Sequence, residues 1–594
     1  KGATMKNKFR DIFKSIDYVR KLLFKYKKRY LIILVILNII SVIFPFLSLF
    51  NVQYIINSLQ EKENFNQIIN CLILYIILGM LNIAINKIYA YFLYKYQEYL
   101  YLNLNQMILN KTKDFELSDY ENPQIYDLIQ RAEQNIGIRP FSMVNSFLVI
   151  MKSILTLLTS ISILLLWHWW LIFPFIVLSI IAIKYFAKIG NQEYEMIFNR
   201  TNYERKSWYI AHLLTKDTFV KEVKMLDLSD YLLNKFYSLR SQFYKENIRM
   251  NKIKTLFSFF YNLSNFSISA GIVVLAAIES YLNHILVGNL MTYINVVSKI
   301  ENSIENIVNS IFAFYQDSLY IENINNYLNY YHNYEINDYI DFNEKIEKIE
   351  FINVSYKYPG QKEYALKNIN LILKRDEITV LVGENGSGKT TLIKLLNGLY
   401  DNYEGEILFN NVNIRIINKK SIRNKISTLF QDYNQYQFTV KENIGFGNIN
   451  KINSNESIYE AAQMANADKF INKLKNKYNQ QLGTWFKEGI QLSGGQWQKI
   501  AIARLYMNGG DVYVLDEPTA SLDPKSEYEF FSQLKKNKND KVSLFITHRF
   551  INANVSDKII VMDKGRIVER GNHNDLIRID GIYKKMYDFQ CRKR

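Results

Sequence analysis

The amino-acid sequence predicts a multidomain membrane protein, with an all-α region of six spanning helices followed by an α/β domain of the P-loop type. Three observations carry this. Apolar residues concentrate before about residue 315. After about Asn329 the helical pattern gives way to strands alternating with helices, the mark of a largely parallel sheet. One of those strands runs into Gly383-Glu-Asn-Gly-Ser-Gly-Lys389-Thr390 and then an apolar helix. At 594 residues the chain is also too long for one ordinary domain.

A spanning helix needs about 20 mostly apolar residues. Such windows fall near Leu31–Phe50, Ile68–Phe92, Met143–Trp167, Leu171–Phe186, Phe257–Leu282 and Leu290–Phe314. The fourth is short and the sixth is polar. Residues 1–4 read as a cloning remnant before a natural start at Met5, and the first apolar stretch lacks the cleavage pattern of a signal peptide. The loops set the orientation. The three short connections hold a single basic residue, Lys62, whereas the loop between spans four and five carries 13 Lys/Arg between Lys188 and Lys254. Positive charge stays in the cytoplasm. Both long loops, both termini and the C-terminal domain are therefore expected on the cytoplasmic side of a bacterial membrane.

Leu93–Leu117 keeps helical periodicity without proline, which would carry the second helix roughly 37 Å beyond the bilayer. The stretch Asp119–Pro123 then breaks the pattern, and a short helix follows. Lys216–Leu226 reads the same way in the second long loop. The expected boundaries are 5–329 for the helical region, 330–343 for a polar, proline-free linker, and 344–594 for the α/β domain. Glu344–Tyr356 alternates like its first strand.

The formal net charge is +17, and ten Lys/Arg against two Asp lie between Met5 and Tyr30, just before the first span. That position fits an anchor beside anionic lipid. No aromatic-plus-basic motif accompanies the charge, so nucleic acid is not expected as a partner. The abundance of Ile, Asn, Lys and Tyr reflects an AT-rich genome. Cys71 and Cys591 make no disulfide framework, and no Cys/His spacing suggests zinc.

The strand Ile378–Val382 leads into the glycine-rich loop, so Gly383, Glu384, Asn385, Gly386, Ser387, Gly388, Lys389, Thr390 and Thr391 are expected to bind ATP. Glycines let backbone N–H groups turn inward on phosphates, and the helix N-terminus adds partial positive charge. Lys389 would reach the β and γ phosphates, and the Thr390 hydroxyl would hold Mg2+. The strand Val512–Leu515 ends in Asp516-Glu517. Four apolar residues before two acids fit a buried strand delivering carboxylates at its C-terminal edge. Asp516 is expected to hold Mg2+, and Glu517 to orient or deprotonate the attacking water.

Just upstream lies Leu492-Ser-Gly-Gly-Gln496, which resembles the signature of the ABC ATPase family. The resemblance implies further roles. Gln431 matches the loop glutamine that senses Mg2+ and the γ-phosphate. Ser521-Leu522-Asp523 matches the loop crossing between partners. His548, after the strand Val542–Thr547, matches the switch histidine. Tyr358, before Pro359, matches the aromatic that stacks on adenine. It also implies that Ser493, Gly494, Gly495 and Gln496 bind ATP held by an opposite subunit, so a chain with one such domain acts as a dimer. Because every motif is intact, the expected partner is a second copy.

With spans first and ATPase second, the chain resembles bacterial ABC exporters, whose halves have six long helices with pairs swapped across a dimer. Asp119–Asp127 and Lys216–Leu226 resemble their two coupling helices. A narrower resemblance comes from Leu482-Gly-Thr-Trp-Phe-Lys-Glu-Gly-Ile-Gln-Leu-Ser-Gly-Gly-Gln-Trp-Gln498, which is similar to exporters of lanthipeptides of the nisin and subtilin type. Generic exporters carry T-x-V-G-E-x-G there. Thr484-Trp-Phe-Lys-Glu-Gly489 is one residue shorter, with Glu488 at the family's glutamate. The resemblance implies ATP-driven export of a ribosomally made peptide by alternating access. A lipid or multidrug exporter and an ABC-fold sensor are the alternatives. Only about 30 residues precede the first span, without cysteine or histidine, so leader removal would need a separate protease beside separate modifying enzymes. In span six, Thr292, Asn295, Lys299, Asn302, Asn306 and Asn309 recur at three- and four-residue steps on one face. Asn295, Lys299 and Asn302 are expected to line the substrate path.

Overall fold

The computed structural model describes residues 27–137, 139–330, 339–519, 522–536, 540–547 and 556–591. Ser521, His548, most of the basic N-terminal segment and the centre of the expected linker lie outside them. The chain forms two compact units, Lys1–Asp114 with Gln124–Tyr331, and Phe115–Pro123 with His332–Arg594.

The first unit is helical. Its elements are α1 (Lys28–Gln60), α2 (Phe65–Lys111), then, after α3 (Leu117–Tyr120) of the other unit, α4 (Pro123–Ile136), α5 (Arg139–Trp167), α6 (Phe173–Asn199), α7 (Thr201–Thr215), α8 (Asp217–Met225), α9 (Ser229–Tyr281) and α10 (Val287–Leu328). The six long helices are α1, α2, α5, α6, α9 and α10. With 53 residues, α9 reaches about 80 Å against the roughly 30 Å of a hydrocarbon core. Long apolar runs make the helices, and local chemistry ends them. Asn64 caps α2 by accepting from the Asn66 N–H at 3.3 Å. A proline sits in the first turn of α6, where its missing N–H costs nothing. Pro45 lies inside α1 and denies the Ser41 carbonyl its helical donor.

Five of the six are long and apolar enough to cross a membrane, namely α1, α2, α5, α6 and α9. The sixth, α10, is too polar to count by composition, yet it is a continuous helix of 42 residues. Packing explains it. Val296, Val297, Ile300, Ile304, Val308 and Phe312 are buried in a cluster with Ile163 and Leu164 of α5 and Phe175 and Phe186 of α6. At the end of this cluster the Trp167 ring stacks on Tyr293 at 4.2 Å, and its indole N–H donates to Glu279 at 2.7 Å.

The second unit holds two sheets. The strands are β1 (Lys348–Tyr356), β2 (Leu366–Lys374), β3 (Ile378–Gly383), β4 (Glu404–Phe409), β5 (Val412–Asn413), β6 (Ile426–Leu429), β7 (Val512–Asp516), β8 (Val542–Ile546), β9 (Lys558–Asp563) and β10 (Arg566–Gly571). A six-stranded sheet has the order β10-β9-β3-β8-β7-β6, and a four-stranded antiparallel sheet the order β2-β1-β4-β5. In the larger sheet every neighbouring pair from β9 to β6 is parallel. Alternation sends side chains to two cores. Val512 and Val514 of β7 face the antiparallel sheet, while Tyr513 and Leu515 face the helix Gly494–Asn508. Being parallel, β3, β8 and β7 end on one edge, and Ile546 of β8 pairs with Leu381 on one side and Asp516 on the other. That edge carries the glycine-rich loop and the acidic pair two strands apart.

Candidate nucleotide site

The loop after β3 turns on glycines that other residues could not replace. Gly388 has φ 103°, and a Cβ there would lie 2.8 Å from the Ala365 carbonyl oxygen. Gly388 then opens α11 (Lys389–Leu396), whose apolar Leu392, Ile393, Leu395 and Leu396 are fully buried. This anchors the helix N-terminus, with its free N–H groups, beside the loop. The Lys389 ammonium donates to the Gly383 and Glu384 carbonyls, both at 2.8 Å. Burial lowers its pKa, against the pull of Asp516 and Glu517.

Across the edge, the Thr390 hydroxyl donates to Asp516 at 3.1 Å. Burial, reinforced by the charge of Glu517, pushes the Asp516 pKa up from 3.8 to about 6. The Gln431 amide donates to a Glu517 carboxylate oxygen at 3.0 Å. Glu517 itself has φ 49°, a left-handed conformation that a non-glycine residue keeps only when its surroundings hold it. Its own N–H donates to the Ile546 carbonyl at 3.1 Å. A cleft of about 480 Å³ joins these groups, lined by Tyr358, Asn385, Gly386, Gly388, Lys389, Thr390, Thr391, Gln431, Asp516 and Glu517. The Tyr358 hydroxyl meets the Thr391 hydroxyl at 3.0 Å. The structure thus brings together, in one cleft, most of the residues that the sequence singles out. The chemistry available is that of a polyphosphate site, with backbone N–H groups and an ammonium on one wall and two carboxylates with an amide on the other.

Thr390 and Asp516 present a hydroxyl and a carboxylate oxygen, hard donors suited to Mg2+. Among the described residues no group of three His, Cys, Asp or Glu could hold a metal. An ion here would complete its shell from phosphates and water, the usual habit of Mg2+.

Five predicted residues stand away from the cleft. Ser493 caps the helix Gly494–Asn508 in a reciprocal box, its Oγ accepting from the Gln496 N–H at 3.3 Å while Gln496 accepts from the Ser493 N–H at 3.0 Å. With Gly494 and Gly495 they form a helix N-terminus, exposed at Ser493 and Gly494 and half-buried at Gly495 and Gln496, that does not line this chain's own cleft. Asp523 is exposed and accepts from the Ser526 N–H at 3.0 Å. In the shortened loop, Glu488 has φ 63° and its carbonyl accepts from the Gln480 amide at 2.9 Å, while Trp485 and Phe486 are exposed.

The individual contacts of a second set were not foreseen, although the sequence marks Asp119–Asp127 as resembling a coupling helix. The segment Phe115–Pro123 packs as part of the α/β unit, with Leu117 against its core. The Lys419 ammonium bridges Glu116, at 2.5 Å, and Asp401. Burial opposes that charge, but the two hydrogen bonds outweigh it and hold the Lys419 pKa above the usual lysine value. The Tyr400 hydroxyl donates to Glu121 at 2.7 Å, and the Tyr400 ring packs edge-on against Tyr358 at 5.8 Å. Tyr358, which lines the cleft, is therefore two contacts from Glu121 within this unit. The resemblance to a coupling helix marks this region in the sequence, but not its partners Tyr400, Asp401 and Lys419.

In the helical unit, Asn295 and Asn302 are exposed, and each amide donates to its own helix, at the Met291 and Ser298 carbonyls. Lys299 is half-buried and donates to the Pro45 carbonyl at 3.2 Å. Thr292 departs from the expected stripe: it is buried, with its hydroxyl on the Gly288 carbonyl at 3.0 Å.

A sequence model described as ABC transporter matches residues 366–520. Over 576 residues the chain is 37% identical to the subtilin transport ATP-binding protein SpaT of Bacillus subtilis, covering 97% of this chain and 94% of that one. It is 33% identical over 572 residues to the nisin transport ATP-binding protein NisT of Lactococcus lactis subsp. lactis, covering 96% and 94%. An ATP-dependent lipid A-core flippase of Escherichia coli (strain K12) is 39% identical over 242 residues, or 41% of each chain. Among solved structures, a bacterial Atm1-family ABC exporter with ATP bound superposes with a TM-score of 0.83 over 95% of this chain and 98% of that one. At 19% identity that likeness is one of fold.

Proposed function

The chain belongs to the ABC transporters, among the exporters that join membrane helices and ATPase on one polypeptide, and from this premise we propose that two copies export a ribosomally made, lanthipeptide-like peptide across a bacterial cytoplasmic membrane. The observation that carries the cargo class is the reach of the likeness. Identity to the subtilin transport protein runs through 97% of the chain, helices included, whereas the lipid flippase matches over 41%. Helices, not the ATPase, meet cargo, so likeness along them bears on cargo.

In this reading ATP is the substrate of the cleft. Lys389 leaves the loop carbonyls for the β and γ phosphates, and the N–H groups of Gly386 to Thr391 hold the rest. Tyr358 stacks on adenine. Thr390, Asp516 and Gln431 hold Mg2+, which neutralises phosphate charge when bound. Glu517 orients the water that attacks the γ-phosphorus and receives its proton, and the Gln431 amide keeps the carboxylate aimed. Ser493, Gly494, Gly495 and Gln496, together with Asp523, serve the nucleotide of the second copy, in keeping with their distance from this chain's own cleft. His548 takes the switch role next to the γ-phosphate. Hydrolysis then separates the two ATPase units and resets the helices. Both ATPase units and both termini face the cytoplasm, as the 13 Lys/Arg between Lys188 and Lys254 support.

The test is ATP turnover by the purified full chain in lipid nanodiscs, with and without the precursor peptide encoded beside its gene. Stimulation by that peptide, and not by a lipid A analogue, is expected. Stimulation by the lipid alone would replace this reading with a flippase.

A further inference from the structure

Within the helical unit lies a cavity of about 210 Å³ between α1, α2, α5 and α10. Its polar lining is out of keeping with its depth. The connections after α1, α5 and α9 lie at one end of the bundle, where the Val287 N–H donates to Gln60 at 3.0 Å. From that end, at 1.5 Å per residue, Lys299 of α10 lies about 18 Å in, Lys152 of α5 and Pro45 of α1 about 22 Å, and Asn82 of α2 about 26 Å. Four helices thus deliver polar groups to one layer about 8 Å deep, at a distance from that end less than the roughly 30 Å of a hydrocarbon core.

Two lysines, Lys152 and Lys299, line this cavity, and no Asp or Glu does. Lys299 has one acceptor, the Pro45 carbonyl. Lys152 has no hydrogen-bond or ion-pair partner for its ammonium among the described residues; only its backbone carbonyl is engaged, by Thr156. The nearby acid of α10, Glu301, accepts instead from Ser269 of α9 at 3.1 Å. Two like charges at this depth are costly unless something anionic meets them. On the same wall the Asn86 amide donates to Asn82 at 3.0 Å, which leaves the Asn86 carbonyl oxygen and an N–H of Asn82 to offer. A paired acceptor and donor match a peptide amide. A phosphodiester carries no donor to use the acceptor. The cavity is also smaller than the roughly 300–1,000 Å³ that a drug-sized ligand fills, so it suits one terminal residue and not a folded peptide.

We propose that this cavity is a carboxylate subsite of the transport path, in which Lys152 and Lys299 hold the C-terminal carboxylate of the cargo while Asn82 and Asn86 hold its last amide. The proposal rests on the peptide-export reading. Within it, Lys299 holds cargo from the cavity wall, whereas Asn295 and Asn302 lie outside this subsite.

The probe is a dansyl-capped leucine–alanine hexapeptide, as free acid and as C-terminal amide. Binding is followed by dansyl fluorescence on the full chain in phosphatidylcholine nanodiscs, against protein-free discs. The free acid is expected to bind about tenfold more tightly than the amide. Lys152→Gln and Lys299→Gln should each cut that preference below about threefold, and Lys152→Arg should keep it, since the charge is retained. Equal affinity for acid and amide in the unsubstituted chain overturns the subsite and leaves peptide export standing. Binding of neither form overturns the subsite, whereas peptide export falls only if the precursor peptide also fails to stimulate turnover. If phosphatidylglycerol in the discs abolishes the acid preference and shields Lys152 from an amine reagent, the occupant is a lipid phosphate and the carboxylate assignment is overturned.

Discussion

Asp516→Asn should stabilise the protein while abolishing its Mg2+-dependent chemistry. The carboxyl is buried, and it titrates at about 6 in place of 3.8, chiefly because burial disfavours its charge. Since the folded-state pKa lies above the unfolded one, the folded protein holds this proton more tightly. Stability from that source is present below about pH 4 and is lost as the pH rises through about 6. Ionising Asp516 at pH 7.5 therefore costs about 3 kcal/mol, and at pH 5 only about 1.6 kcal/mol. Asparagine is isosteric, can still accept from Thr390, and has no charge to bury. In the absence of nucleotide and Mg2+, unfolding of the full chain in detergent, followed by scanning calorimetry, should show the ATPase transition raised by about 6–12 °C at pH 7.5. The gain should shrink by about half at pH 5. The variant should also lose Mg2+-dependent ATP binding. An unchanged or lowered transition, or a gain independent of pH, would refute the claim that Asp516 is a charge held at a cost for function.

Glu517→Gln should retain ATP and lose turnover by at least about 100-fold, because phosphate contacts survive while the base is gone; near-normal phosphate release would remove Glu517 from its role. Lys389→Ala should instead weaken ATP binding by about 10–100-fold, the worth of a hydrogen bond to a charged group, as read by equilibrium dialysis. Tyr400→Phe strips Glu121 of its hydroxyl donor, and cargo-stimulated turnover should fall more than basal turnover, while ATP affinity stays within about twofold. Equal loss of both rates would mean that this contact supports the ATPase fold and not the link to the helices.

Much of the ATPase site is legible in the sequence because its chemistry is local. A phosphate cradle must be contiguous, so Gly383 to Thr391 announce it, and a buried strand ending in two acids announces Asp516 and Glu517. The antiparallel sheet β2-β1-β4-β5 is not legible in the same way, since its pairings join strands up to about 60 residues apart and leave no periodic trace. The polar sixth helix shows the same limit from the other side. The sequence marks a span at Leu290–Phe314 but its polarity weakens the reading, and burial of Val296, Ile300 and Ile304 in one cluster with residues of α5 and α6 shows what holds it. The bond from Tyr400 to Glu121 spans 279 positions, and only folding reveals it. The intramembrane cavity is hidden for a similar reason. Lys152, Asn82 and Pro45 are single polar or irregular residues in separate apolar runs, and their common depth exists only once the helices are set side by side.

The central claim is that ATP hydrolysis at this cleft moves a peptide across a membrane. Its most direct measurement is uptake of the fluorescently labelled precursor peptide into inside-out vesicles containing the full chain, with ATP and Mg2+ supplied outside. Uptake should depend on both, and should vanish with Glu517→Gln at equal protein content. Uptake that persists with Glu517→Gln, or hydrolysis by the unsubstituted chain that carries no peptide inside, would contradict it.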